Sequence, residues 1–140
     1  MAEEKSFRLR VDASVDELQR VLGFVEECIC TTDCPPKAVM QINVSVEEIF
    51  VNIAHYAYTP GIGEATIRVE LSRKPSGVEI TFIDRGVPYD PLAKPDPDVT
   101  LSAKDRKIGG LGIFMVKKSM DEVKYEYLDG CNVLTIKKGW

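Results

Sequence analysis

The chain has 140 residues, of which 44% are hydrophobic and 29% charged, and a formal net charge of -4. That length suits one domain, 1–140, around one core, and the acidic balance argues against the basic face of a nucleic-acid binder. No apolar run approaches membrane-spanning length and the opening MAEEKSFRLR has no apolar signal core, so a cytoplasmic protein with no direct nucleic-acid or membrane contact is expected.

Phe7, Leu9 and Val11 alternate with Ser6, Arg8 and Arg10, which predicts a first strand. Ser14 and Glu17 have the spacing of a capping box, and Val15, Leu18, Leu22, Val25 and Ile29 then recur at helical spacing. Asp33-Cys34-Pro35-Pro36 ends that helix and opens a second, which is expected to run to about Tyr58, where Thr59-Pro60-Gly61 stops it. Ile67, Val69 and Leu71 mark a strand, and Lys74-Pro75-Ser76-Gly77 turns the chain into another, which ends at Asp84. Residues 92 to 107 are polar and rich in Pro, Asp and Lys, the composition of a functional or disordered loop. Gly109-Gly110-Leu111-Gly112 leads into an apolar helix, IFMVKKSM. Val123, Tyr125 and Tyr127 alternate along a strand, Asp129-Gly130 signals a hairpin, and Val133 to Lys138 returns. The order βααββ-loop-αββ predicts an α+β fold: a two-layer sandwich with a mixed, mostly antiparallel sheet covered on one face by three helices.

On the second helix, Val39, Ile42, Val46, Ile49, Phe50 and Ile53 share one side, while Gln41, Ser45, Glu48, Asn52 and His55 form a polar row with Val44 and Val51 close to it. A solvated surface helix would carry lysines and glutamates there, so the row is expected to wall a polar pocket. Glu48 and Asn52 lie one turn apart. A carboxylate can take a proton, and an amide oxygen is a hard ligand suited to Mg2+. The same spacing also fits a solvated Glu–Asn hydrogen bond, and a lone His55 fits packing or exposure. The GGLG segment can bring backbone N–H groups to phosphate at a helix start. It equally fits a tight packing turn, and it is neither a Walker A loop nor a Rossmann fingerprint. Cys28, Cys30, Cys34 and Cys131 lack the paired C-x2-C spacing of structural zinc and read as reduced thiols with no assigned role.

The fixed order of these patterns is more specific than any one of them. VEEIFVNIAHYAY (46–58), DRGVPYDP (84–91) and GGLGIFMVKKSMDEVKYEY (109–127) resemble the N box and the two glycine boxes of the GHKL ATPases, which have the Bergerat ATP-binding fold. Within that superfamily the chain resembles the small anti-sigma-factor serine kinases, with the element order matching from Phe7 to Lys138. The resemblance implies that Asp84 accepts a hydrogen bond from the adenine amino group and that Gly86 lets the backbone pass close to the base. It implies that Asn52 binds Mg2+ and that Glu48 is the general base. Gly110, Leu111 and Gly112 would meet the phosphates. An ATP lid would span about 92–108, its Lys104, Arg106 and Lys107 neutralising phosphate charge. Thr135 would help hold Asp84. Many members carry His four residues after the metal-binding Asn; here that position is Tyr56, one step beyond the single histidine, His55.

The implied activity is transfer of a phosphoryl group from ATP to a serine or threonine of an anti-anti-sigma protein, the same surface alternately sequestering a sigma factor. A homodimer is the implied assembly. A non-catalytic, ATP-gated regulator that binds a partner uses the same pocket residues. The catalytic half of a two-component histidine kinase is disfavoured, since no helix pair with a phospho-accepting histidine precedes the domain.

Overall fold

The computed structural model describes residues 4–58, 61–93 and 110–140. Five strands, β1 (Glu4–Asp12), β2 (Glu64–Arg73), β3 (Ser76–Asp84), β4 (Glu122–Leu128) and β5 (Cys131–Gly139), alternate with three helices, α1 (Leu18–Ile29), α2 (Pro36–Tyr56) and α3 (Gly110–Ser119). The strand order is β1-β2-β3-β5-β4, and each neighbouring pair is antiparallel. The sheet is therefore antiparallel throughout, without the parallel pair that a mixed sheet contains. β3 and β4 run in the same direction, but the β4–β5 hairpin docks with its second strand inward, so β5 separates them. Asp129 and Gly130 turn that hairpin with φ of 53° and 80°, the left-handed pair that a two-residue hairpin turn needs.

The core lies between one face of the sheet and the helices. Val21, Val25 and Ile29 of α1, Ile42, Val46, Ile49 and Phe50 of α2, and Val116 of α3 pack on Ile67, Val69, Ile80, Phe82 and Ile136. These are the positions that helical and strand periodicity place inward, and each such side chain contributes about 1.5–3 kcal/mol on burial. The other sheet face carries the charged alternates Arg8, Arg68, Glu79 and Lys137.

Two local expectations change. Ser14 accepts a hydrogen bond from Asp16 N–H at 3.2 Å, but Glu17 does not reach back to complete a capping box. Glu17 pairs with Arg20 at 3.1 Å, and the Ser14 N–H donates to the Asp12 carbonyl at 2.8 Å. The helix α2 ends at Tyr56 rather than Tyr58. The Ala57 carbonyl is taken by Val87 N–H at 2.9 Å, and the Tyr58 hydroxyl turns away to donate to the Glu64 carbonyl (2.6 Å) and accept from Arg85 N–H (2.8 Å). The end of α2 is thereby fastened to the end of β3.

Candidate functional site

Asp84 closes β3, and its position in the pleat points it to the helix side, where it is 5% exposed. One carboxylate oxygen, Oδ1, accepts from Gly86 N–H at 2.9 Å and from Asn132 Nδ2 at 2.9 Å. Asn132 is directly opposite Asp84 on β5. Its Nδ2 also donates to the Val87 carbonyl at 2.8 Å, while its Oδ1 accepts from Tyr89 N–H at 3.1 Å and the Tyr125 hydroxyl at 2.5 Å. With both ends of the amide engaged, only one orientation of Asn132 satisfies every partner. Burial pushes the Asp84 carboxyl above the usual carboxylate range, and the hydrogen bonds from Asn132 and Gly86 pull it back.

Asp84 and Asn132 share a cavity with Asn52, Tyr56, Tyr89 and Ile113, so α2, α3, β3 and the segment after β3 all contribute a wall. Phe82, Leu134 and Ile53 make much of that wall apolar. Tyr56 and Tyr89 stack with ring centroids 5.8 Å apart and planes 15° apart. Two glycines set how closely the walls meet. A Cβ on Gly86 would lie 2.1 Å from the Ala57 carbonyl oxygen, so the turn after Asp84 seats on the end of α2 only with hydrogen there. A Cβ on Gly112 would lie 1.7 Å from Glu48 Oε1, so the first turn of α3 presses directly on that carboxylate.

Glu48 and Asn52 are one turn apart on α2, so their side chains are neighbours on its surface. Burial and the charge of Glu47 raise the Glu48 carboxyl above its ordinary range, against the lowering effect of Asn52. The structure thus brings Glu48, Asn52, Asp84, Gly86 and Gly112 to one end of the sheet.

Thr135 is corrected. It pairs with Thr81, their hydroxyls 3.5 Å apart, three residues from Asn132 and on the opposite face of the sheet from Asp84. Asn132, with Tyr125 and Tyr89 behind it, does the holding that the sequence reading gave to Thr135. An asparagine just after an Asp-Gly turn was the available signal, but only the β3–β5 register puts it opposite Asp84.

The polar row of α2 divides. Asn52 lines the cavity, while Ser45 is fully buried with no hydrogen-bond partner for its hydroxyl, and His55 is exposed, its ring edge-on to Tyr56. The cavity reaches only the last turns of α2, so a row that spans the helix cannot all face it. Gly109, Lys104, Arg106, Lys107 and nearly all of the expected lid lie outside the described residues. Gly110 and Leu111 form the first residues of α3.

Among the described residues no three His, Cys, Asp or Glu side chains group as a metal cluster, and no helix is long and apolar enough to cross a membrane. All four cysteines are free, and burial pushes the Cys28 and Cys34 thiols up, away from reactive thiolate.

Comparison with known proteins agrees with this arrangement. The family described as the histidine kinase-like ATPase domain matches residues 11–138. The serine/threonine-protein kinase BtrW of Bordetella bronchiseptica is 30% identical over 95 residues, covering 68% of this chain and 66% of that protein. The serine-protein kinase RsbW of Listeria monocytogenes is 29% identical over 105 residues, covering 72% of this chain and 66% of the relative. The chain therefore spans just under two thirds of the length of these relatives. The crystal structure of the RsbU and RsbW domains of Rv1364c from Mycobacterium tuberculosis superposes with a TM-score of 0.66 at 15% identity, over 96% of this chain and 32% of that one, and so shares the fold.

Proposed function

We propose, for a chain that belongs to the histidine kinase-like ATPase domain family, that it is an ATP-dependent serine/threonine kinase of an anti-anti-sigma protein and that it sequesters a sigma factor in its alternate complex, thereby regulating transcription. The names of the kinases it is similar to support the activity. The observation that carries the reading is Asp84. Its Oδ1 accepts from Gly86 and Asn132 and the residue lines the cavity, which supports Oδ2 as the acceptor for an entering base. A carboxylate so held accepts from an exocyclic amino group such as that of adenine and has no donor for a base carbonyl at the same place.

The residues fit Mg2+ as well as ATP. Asn52 offers one hard amide oxygen in the cavity, in keeping with a cation that takes most of its ligands from phosphate and water. Bound there, Mg2+ would neutralise phosphate charge. The chain's own residues supply the rest. Gly86 seats the turn that carries Asp84, and the bare Gly112 brings the start of α3, with Gly110 and Leu111, towards the phosphates. Lys104, Arg106 and Lys107 are proposed to close over them. Glu48, made more basic by burial, takes the proton from the acceptor hydroxyl. The hydroxyl oxygen forms the new bond to the γ-phosphorus as the bond to the bridging oxygen breaks, and ADP leaves. Positioning supplies most of the acceleration.

A homodimer through the sheet's uncovered face is part of the proposal. On that face the β1 edge carries Arg8, Arg10 and Asp12, and the β4 edge carries Lys124 between Glu122 and Glu126. A two-fold axis over the middle strand would set these mixed-charge edges against each other. Sedimentation velocity measures the state.

The kinase activity is tested by incubating the chain with MgATP and a purified anti-anti-sigma protein of the same cell. Glu48→Ala is expected to bind ATP normally and to lose roughly 100- to 10,000-fold in transfer. Normal transfer by that variant would remove Glu48 as the base.

A further inference from the structure

The helix layer leaves an apolar ridge uncovered beside the cavity. Met40 and Val44, one turn apart on α2, are 61% and 54% exposed, and Met115 on α3 is 48% exposed. The two helices run antiparallel. The last turns of α2 reach the cavity at Asn52 and Tyr56, whereas α3 starts there, with Ile113 in the cavity wall, and leaves towards Ser119, whose carbonyl meets Lys138 near the far end of β5. Their contact point is Glu48 on Gly112. One turn back along α2 from Glu48 is Val44, and one turn forward along α3 from Gly112 is Met115. Both are exposed, and each lies one turn from the Glu48–Gly112 contact on the side away from the cavity, with Met40 a further turn along α2.

Large apolar side chains held open in adjacent turns of two helices suit a protein partner more than water, and methionine adapts its shape to what it meets. The rim is positive on the α3 side, where Lys118 sits 5.4 Å from the centre of the Phe114 ring. Resting on the kinase reading, we propose that Met40, Val44 and Met115 form the docking surface of the phosphoryl-acceptor protein. The acceptor lays an apolar segment with an acidic border along the α2–α3 groove and so brings its hydroxyl within reach of Glu48. The position of the ridge selects this occupant. An acceptor must come within hydrogen-bond distance of the base, and the ridge ends at that base, whereas the surface proposed for a second copy lies on the other side of the sheet.

The test is transfer from MgATP to a purified anti-anti-sigma protein of the same cell, with acceptor concentration varied. Val44→Lys combined with Met115→Lys is expected to raise the acceptor KM at least tenfold, with the ATP Kd and the melting temperature unchanged. Val15→Lys, at a comparably exposed apolar position ahead of α1, is expected to match the parent. Should the lysine pair lower the melting temperature, Met40→Ser with Met115→Ser must show the same rise in KM with ATP affinity retained. An unchanged acceptor KM in a folded variant overturns the docking assignment. So does a parent dimer that the lysine pair converts to monomer without changing KM, because the ridge would then be a self-interface. If the unaltered chain phosphorylates no such protein, the kinase reading fails first and the docking surface with it.

Discussion

The two ends of the candidate site are built differently. At the Asp84 end every polar partner is engaged: one carboxylate oxygen, an asparagine amide satisfied at both ends, a tyrosine hydroxyl and three backbone groups form a single network. At the Glu48 end a half-buried carboxylate has Asn52 one turn away and a glycine pressed against it. A fully bonded buried network is rigid and costly to disturb, whereas a desolvated carboxylate with few partners is a stronger base and is ready to change partners. The proposed recognition thus rests on strands in fixed register, and the proposed chemistry rests on the contact between two helices.

The contrast predicts different failures at the two ends. After loss of the Glu48 carboxylate itself, the largest effect is expected from Gly112→Ala. The added methyl cannot share space with Glu48 Oε1, so the base moves, and turnover should fall on the order of 100-fold. The contacts of Asp84 are untouched, so any loss of ATP affinity measured by calorimetry is confined to the phosphate end and should be smaller than the loss of turnover. Equal losses in both would mean that the two ends are not separable. Asn132→Ala should act the other way. It strips a partner from Asp84, Tyr125 and the Tyr89 N–H, and is expected to destabilise the chain by about 1–3 kcal/mol in denaturant unfolding and to weaken ATP binding. An unaltered midpoint would show that the network carries no stability.

A smaller and graded effect is expected from pH. Glu48 must be ionised to take a proton, and burial raises its pKa above 4.5, so transfer should decline on acidification at a higher pH than an ordinary glutamate allows. In a profile of kcat against pH, the acid limb should disappear in Glu48→Gln, which should be slow at every pH. A limb that persists in that variant belongs to another group.

Much of this was legible from local pattern. Ile42, Val46, Ile49 and Phe50 fall inward because a helix repeats every 3.6 residues whatever surrounds it. The turn after Asp84 and the Asp129-Gly130 hairpin are likewise written in adjacent residues. What could not be read depends on pairing between distant segments. Thr135 and Asn132 are equally plausible holders of Asp84 until the β3–β5 register places one opposite it and the other on the far face. The polar row of α2 gave a face but not its neighbours. Burial of Ser45, exposure of His55 and contact of Glu48 with Gly112 are set by how α3 and the cavity lie along that face. The uniformly antiparallel sheet depends on which strand of the last hairpin docks inward, a choice that neither strand's sequence declares.

The central claim is that the Asp84 carboxylate, oriented by Gly86 and Asn132, grips the adenine amino group. Asp84→Asn retains an oxygen for those two donors but presents an amino group to the base. Because burial raises the Asp84 pKa above 3.8, the stability linked to its protonated form is present below that pH and lost as pH rises through the raised value, so removing the charge should not lower the melting temperature at pH 7. Calorimetric titration of this variant with MgATP should show affinity about tenfold to 100-fold weaker in a chain at least as stable as the parent. Uptake of ATP with the parent's affinity would contradict the claim.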